Sequence, residues 1–253
     1  NVWCAAGKGI FGTEELVGRI ENVGLGEIVA HRKLIVPQLG ATGVSAHAVK
    51  QQSGFQVLYG PVRAKDLPAF LDAGMKATGQ MRRVSFPLAD RIVLIPIEIV
   101  GWGKHILCAA ACFLVLAGLS REGYSGRLVA SDGIRAVLIL LASYLAAGIL
   151  GPALLPWLPG RAFSTKGMWI GLAISIVLGL QSRGVWNSWN HRLDVLAWFM
   201  MIPAVTSFVV MNFTGASTYT SLSGVKQEMK IAVPLQLACA VAGVGLWLAG
   251  HFV

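Results

Sequence analysis

Cys4 is the only cysteine before Cys108, so the polar first part of this 253-residue chain carries one thiol. A lone thiol cannot build a zinc site, which takes about four Cys or His ligands, and it has no partner there for a disulfide. Three roles stay open: a nucleophile, a single axial ligand to a metal carried by a larger group, or an inert buried thiol. Its neighbours bear on the choice. Ala5, Ala6, Gly7 and Gly9 are small enough for something broad and flat to lie against the backbone, and Lys8 stands one helical turn on, where a cation favours thiolate over thiol. His31 and His47 could ligate a metal, but each reads first as a surface or capping histidine. Cys108 and Cys112 lie four apart, hence on one helix face, and could pass a soft metal ion; the plainer reading makes them small packing residues.

The elements that must position these residues change character along the chain. The whole is 55% hydrophobic and 13% charged; residues 1–104 hold 12 Lys/Arg and 8 Asp/Glu, whereas 105–253 hold 9 and 4. We therefore expect a soluble α/β domain over 1–103 and an all-α membrane domain over 104–253. In the first, Thr13-Glu14-Glu15-Leu16 starts a helix over 13–22, with acids where the helix dipole favours them. The Gly24-Leu25-Gly26 stretch breaks it. Leu34–Pro37 reads as a strand buried on both faces, 45–52 as a helix, and Phe55–Tyr59 as a second strand. A helix over about 65–77 and a third strand over 92–100 follow. This alternation argues βαβ units and a parallel sheet. Ligands of such sheets bind beyond the carboxyl ends of the strands, which is where the Gly-rich loops Leu39–Val44 and Gly60–Val62 fall. Neither is a GxGxxG fingerprint, so a dinucleotide has no specific support, and the loops could be plain turns.

In the second part, five stretches are long and apolar enough to span a bilayer, at about 104–120, 134–155, 167–182, 193–213 and 231–252. Trp157, Trp169, Trp186, Trp189 and Trp247 lie near their ends, as an interfacial belt requires. None of these stretches has an Asp, Glu, Lys or Arg in its middle, which argues against a pump or an ion-coupled carrier. The polar stretch 212–230 is unusually long for a linker between spans. Lys and Arg are too evenly divided between alternate connections to fix an orientation. The net charge of +9 is scattered, with no basic run interleaved with aromatics, so nucleic acid is not an expected partner and anionic lipid is. Four cysteines, three of them in apolar stretches, fit a reducing compartment. Because the chain starts at Asn1 within a motif, without Met or a leader, we expect native residues before it, and a signal peptide stays open.

Asn1-Val2-Trp3-Cys4-Ala5-Ala6-Gly7-Lys8-Gly9, continuing through Phe11-Gly12-Thr13-Glu14-Glu15-Leu16, resembles the cap-helix signature of the corrinoid protein of microbial mercury methylation. Ile10 departs from the Thr expected there. The rest of the soluble part is similar to the corrinoid domain of the corrinoid iron–sulfur protein of acetyl-CoA synthesis, a relative that lacks the cysteine. The resemblance implies a Rossmann-like corrinoid-binding domain with a cap helix, and a cobalamin-type cofactor with Cys4 as lower axial cobalt ligand. It assigns Asn1, Val2, Trp3, Cys4, Ala5 and Gly7 to the cofactor. It also turns Leu39, Gly40, Thr42, Gly43, Val44, Gly60 and Pro61 from plain turns into walls for the corrin ring. The implied activity is methyl transfer from cobalt to inorganic mercury(II), giving methylmercury, with a ferredoxin-like iron–sulfur partner returning cobalt to a low oxidation state. A cytoplasmic-membrane location with the corrinoid domain in the cytoplasm follows from where reductant and methyl donors are found. The rival expectation is a membrane-anchored methyl carrier serving an acetyl-CoA-type one-carbon pathway.

Overall fold

Strand β1 (Lys33–Val36) pairs in parallel with β2 (Gln56–Tyr59), Lys33 opposite Gln56 and Val36 opposite Tyr59. The structure is a computed structural model that describes residues 5–6, 9–181, 188–215 and 222–253. The chain divides into two units, Asn1–Ser85 and Phe86–Val253.

In the first unit, α1 (Thr13–Asn22) carries Glu14 and Glu15 in its first turn and ends before Gly24, whose φ of 57° continues no right-handed helix. Helix α2 (Ala46–Ser53) is capped by Ser45, whose Oγ accepts from Ala48 N, and closed by Gly54 at φ 74°, whose N–H returns to Lys50 O. Val17 and Ile20 of α1, Val49 of α2, and Val36 and Val57 of the sheet form one core with Val44 and Phe55. Residues i and i+2 of a strand share a face, so Val36 and Val57 point to the helices while Ile35 points the other way. Ile35 is 38% exposed; β1 is covered on one face, not the two expected of it. Helix α3 (Leu67–Asp72) follows a 3₁₀ turn over Ala64–Asp66. It is shorter than the expected 65–77 because Gly74 and Met75 both adopt positive φ, at 65° and 64°.

The expected third strand over 92–100 does not form. Those residues end α4 (Leu88–Ile92) and begin α5 (Ile95–Ala117). Pro96 sits in the first turn of α5, where its missing N–H costs nothing, and the apolar run behind it continues the helix. The sheet of the first unit is therefore two-stranded among the described residues, and residues 86–103 belong to the second unit.

That unit is built on α5, α6 (Ile134–Leu154), α7 (Phe163–Gln181), α8 (Trp189–Asn212) and α9 (Leu222–Gly250). All five are long and apolar enough to cross a membrane, which makes this a multi-pass membrane protein. A short antiparallel pair, β3 (Leu119–Ser120) and β4 (Gly123–Tyr124), joins α5 to α6. Helix α8 lies at the centre. Gly167 and Gly171 of α7, one turn apart, meet Thr206 and Pro203 so closely that a Cβ at either would stand within 2.5 Å of α8 atoms; this is the small-residue seam by which membrane helices approach. Phe113 stacks on Trp198 and meets Trp247 edge-on, with centroids 5.8 and 5.0 Å apart.

Three expectations for the spans change. The first span begins near residue 88, not 104, so Glu98 and Lys104 lie within it, and the argument from uncharged spans fails there. Helix α9 begins at Leu222, so half of the polar 212–230 stretch is helix. Trp157, Trp169 and Trp189 are exposed as an interfacial belt requires, but Trp247 is buried against Phe113 and His251; Trp186 lies outside the described residues.

Arg91 is the buried charge among the described residues of this unit. Its Nη1 donates to Pro152 O and Ala153 O, both at 2.8 Å, and the guanidinium sits 5.9 Å from the Trp157 ring centroid. Those carbonyls are in the last turn of α6, where no intrahelical donor reaches them and the helix dipole is negative. Arg91→Met should cost about 2–3 kcal/mol by stranding two acceptors and lower the unfolding midpoint in detergent, with Arg91→Lys recovering part. An unchanged midpoint for Arg91→Met would contradict this role.

Candidate functional site

The loop after β1 is set by Pro37, which ends the strand, and by a 3₁₀ turn over Gln38–Thr42. Gly40 N donates to Pro37 O (2.8 Å), and Gly43 N and Val44 N both return to Gly40 O (3.0 Å). Tyr59, the last residue of β2, donates its hydroxyl to Val44 O at 2.6 Å and so fixes this loop to the neighbouring strand end.

The N-terminal segment folds onto the same loop. Phe11 N donates to Ala5 O (3.1 Å), Gly9 N to Ala6 O (3.2 Å), and Thr13 N to Gly43 O (3.2 Å). Thr13 does more than start α1. Its hydroxyl accepts from Ser45 N at 2.9 Å and donates to Gly43 O at 3.4 Å, so one side chain clasps the segment to both ends of the loop's exit. Ala6 is buried, and a Cβ on Gly43 would stand 2.8 Å from its carbonyl oxygen and 2.6 Å from that of Phe11. A Cβ on Gly40 would meet the Phe11 ring at 2.6 Å.

The loop thereby has two sides. Gly40 and Gly43 are packed under the N-terminal segment, Val44 points into the core, Ala5 lies in that segment, and Thr42 is exposed. Leu39 turns to the other side, where it meets Gly60 and Pro61 around a cavity of about 360 Å³ at the carboxyl ends of β1 and β2. Ile35, Pro37, Val62 and Leu67 complete most of the wall. Of the candidate ring contacts, then, the structure gathers Leu39, Gly60 and Pro61 at one cavity. It gives Gly40 and Gly43 to the seating of the segment that follows Cys4, and Val44 to the core of the unit. Asn1, Val2, Trp3, Cys4, Gly7 and Lys8 lie outside the described residues.

A flat apolar group fits the cavity on two counts. Its lining residues are uncharged and almost wholly aliphatic, and Gly60 holds the wall back: a Cβ there would stand 2.9 Å from Ile35 Cγ2. At this volume, near the lower end of ligand pockets, it takes an edge of a macrocycle and not the whole. His31 and His47 are exposed and line no part of it; His31 Nδ1 accepts from Lys33 N at 3.4 Å, a turn contact. Among the described residues no three His, Cys, Asp or Glu gather to hold a metal ion. Cys108 and Cys112 are exposed on α5, so they neither pack in the interior nor line a cavity found there.

Ile35 and Pro37 were legible only as part of a strand and its end, not as cavity wall. The roles of Thr13, Tyr59 and Leu67 here were not legible, because their partners lie far along the chain. Tyr59→Phe removes the hydroxyl that donates to Val44 O; it should cost about 1–2 kcal/mol and speed amide exchange of residues 40–45 in the full-length protein, while exchange in α1 stays slow. Unchanged exchange would show that the loop holds without the tyrosine.

No family model matches the chain, and no curated protein or solved structure is detectably similar to it.

Proposed function

We propose that this chain is a membrane-anchored corrinoid protein that transfers a methyl group from cobalt to inorganic mercury(II). The observation that carries this reading is the stretch Asn1–Leu16, a single thiol set among small residues in the pattern of the mercury-methylation family. Features of the fold support it. The β1–α2–β2 unit is the piece from which Rossmann-like domains are built, and its apolar cavity lies where such sheets take ligands. Thr13 is hydrogen-bonded to Gly43 and Ser45, and Phe11 and Gly9 bond back to Ala5 and Ala6, so described residues that follow Cys4 are seated beside the same strand ends. Five apolar helices supply the anchor.

In this reading Leu39, Gly60 and Pro61 hold the ring edge, with Ile35 and Leu67 excluding water from it. Cys4 would ligate the cobalt, and Lys8 would favour its thiolate. When bound, the corrinoid would supply a transferable methyl group, which an electron-donating thiolate ligand would help to release; the protein's share is binding, orientation and electrostatics. Gly43 and Thr13 keep the ligand-bearing segment seated. A ferredoxin-like iron–sulfur protein is the expected reductant, and the soluble unit is on the cytoplasmic side, where reductant and methyl donors are.

The test is methylmercury formation by the purified full-length protein, loaded with corrinoid and given a strong reductant, a methyl donor and a mercury(II)–thiol complex. Repeated turnover is expected. Methyl loading without methylmercury would instead favour the carrier that serves an acetyl-CoA-type pathway.

A further inference from the structure

The corrinoid reading leaves unused a polar cluster at one end of the spans. It lies on the membrane face where α5, α7 and α9 end and α6 and α8 begin, opposite the face at which the chain enters α5. Arg135 Nη2 stands 2.9 Å from Asp194 Oδ2, and Trp198 Nε1 donates to Asp194 Oδ1 at 3.1 Å. His251 Nε2 is 3.8 Å from Asp132 Oδ2, and the imidazole meets the Trp247 ring edge-on with centroids 4.8 Å apart. His191 Nε2 and His251 Nδ1 are buried and find no hydrogen-bond partner among the described residues. A buried polar atom without a partner is costly and asks for one.

Two cavities share Arg135, His191 and Asp194 in their walls. One, of about 330 Å³, is polar and reaches Asp132 and His251. The other, of about 610 Å³, is mainly apolar and runs between α6, α7 and α8 past Leu138, Leu178, Phe199 and Ile202. Leu138 and Phe199 are 62% and 44% exposed, so the apolar cleft opens on the lipid-facing side of the bundle. A head group in the first space and a tail in the second would describe one amphiphilic ligand.

The charges limit what that head can be. Asp132 and Asp194 repel an anion, and Arg135 repels a cation. A metal ion lacks its ligands, since no three His, Cys, Asp or Glu gather among the described residues. A neutral head with oxygen acceptors or hydroxyl donors satisfies both imidazole nitrogens without burying a charge. A planar one also suits a wall that includes Trp198 and Phe199. We infer that the membrane unit binds a lipid-soluble quinone or quinol, its ring at His191 and Arg135 and its tail between α6, α7 and α8. The site stands apart from the corrinoid chemistry and holds whether or not that reading does.

The probe is a decyl-substituted benzoquinone titrated calorimetrically into the full-length protein in matched detergent. Saturable one-to-one binding is expected. His191→Leu removes the head-group contact and Leu138→Trp fills the cleft mouth; each should weaken binding at least about tenfold, or 1.4 kcal/mol. Leu107→Trp, on the exposed face of α5 and outside both cavities, should leave it unchanged. Leu138 is exposed, so its variant keeps the test alive even where His191→Leu misfolds. Decanol, with the same tail and one hydroxyl, should not compete at equal concentration. Equal affinity in wild type and Leu138→Trp would overturn the site, and displacement by decanol would overturn the quinone.

Discussion

Gly43→Ala is expected to unseat the N-terminal segment. The added methyl would stand 2.6 Å from Phe11 O, 2.8 Å from Ala6 O and 3.0 Å from Ala6 Cα. All three are main-chain atoms, so no rotamer change relieves the overlap, and either the loop or the segment must move. Overpacking of this kind costs about 3 kcal/mol, more than the two hydrogen bonds that Gly43 O accepts from Thr13 would return. Amide exchange at Thr13 and Ser45 should accelerate by roughly 100-fold, the equivalent of that energy. Gly60→Ala is the control. Its closest contact is Ile35 Cγ2 at 2.9 Å, the end of a side chain that can turn, so it should leave Thr13 and Ser45 protected while it narrows the cavity. Wild-type exchange in Gly43→Ala would mean that this seating does not exist. Under the proposed function, Gly43→Ala should also weaken corrinoid binding.

Under the proposed function, the second large effect is on turnover. Cys4→Ala should retain much of the corrinoid affinity, because Leu39, Gly60 and Pro61 are untouched, yet lose methyl transfer by about 100-fold or more, as expected when a group acts mainly in the transition state. Cys4→His restores a ligand without the thiolate's electron donation, so binding should recover further than turnover. The split between the two is the point: a merely structural cysteine would move both together.

Local signals made the first unit readable up to a point. Glu14 and Glu15 marked the start of α1, the helix read over 45–52 matches α2, and the short apolar runs on either side of it gave both strands near their observed bounds. Reading failed at Ile92–Val100, an apolar β-branched run that fits a buried strand or a buried helix equally well by composition. What decides it is the continuation into Trp102–Ala117, which makes a helix the length of a bilayer. The moved boundary then hid Arg91, since nothing in its neighbours signals that the carbonyls of Pro152 and Ala153 wait some sixty residues on. The candidate loops were placed correctly at the strand ends, but which side of loop 38–44 each residue faces is tertiary information. Phe11 and Ala6 claim Gly40 and Gly43, and Ile35 and Leu67 draw Leu39 to the cavity. The polar cluster of the spans was equally invisible, assembled from Arg135 on α6, His191 and Asp194 on α8, Asp132 in the turn before α6 and His251 just past the end of α9.

The visible spectrum of the corrinoid-loaded full-length protein, wild type beside Cys4→Ala, tests the central claim most directly. The spectrum reports cobalt's axial ligands without requiring a methyl donor, mercury or a reductant. With Cys4 as lower ligand, the wild type should show the absorption of a thiolate-ligated cobalt, Cys4→Ala should shift to that of a corrinoid without a protein ligand, and Cys4→His should give a third. Identical spectra for wild type and Cys4→Ala at equal corrinoid content would place the ligand elsewhere and contradict the account.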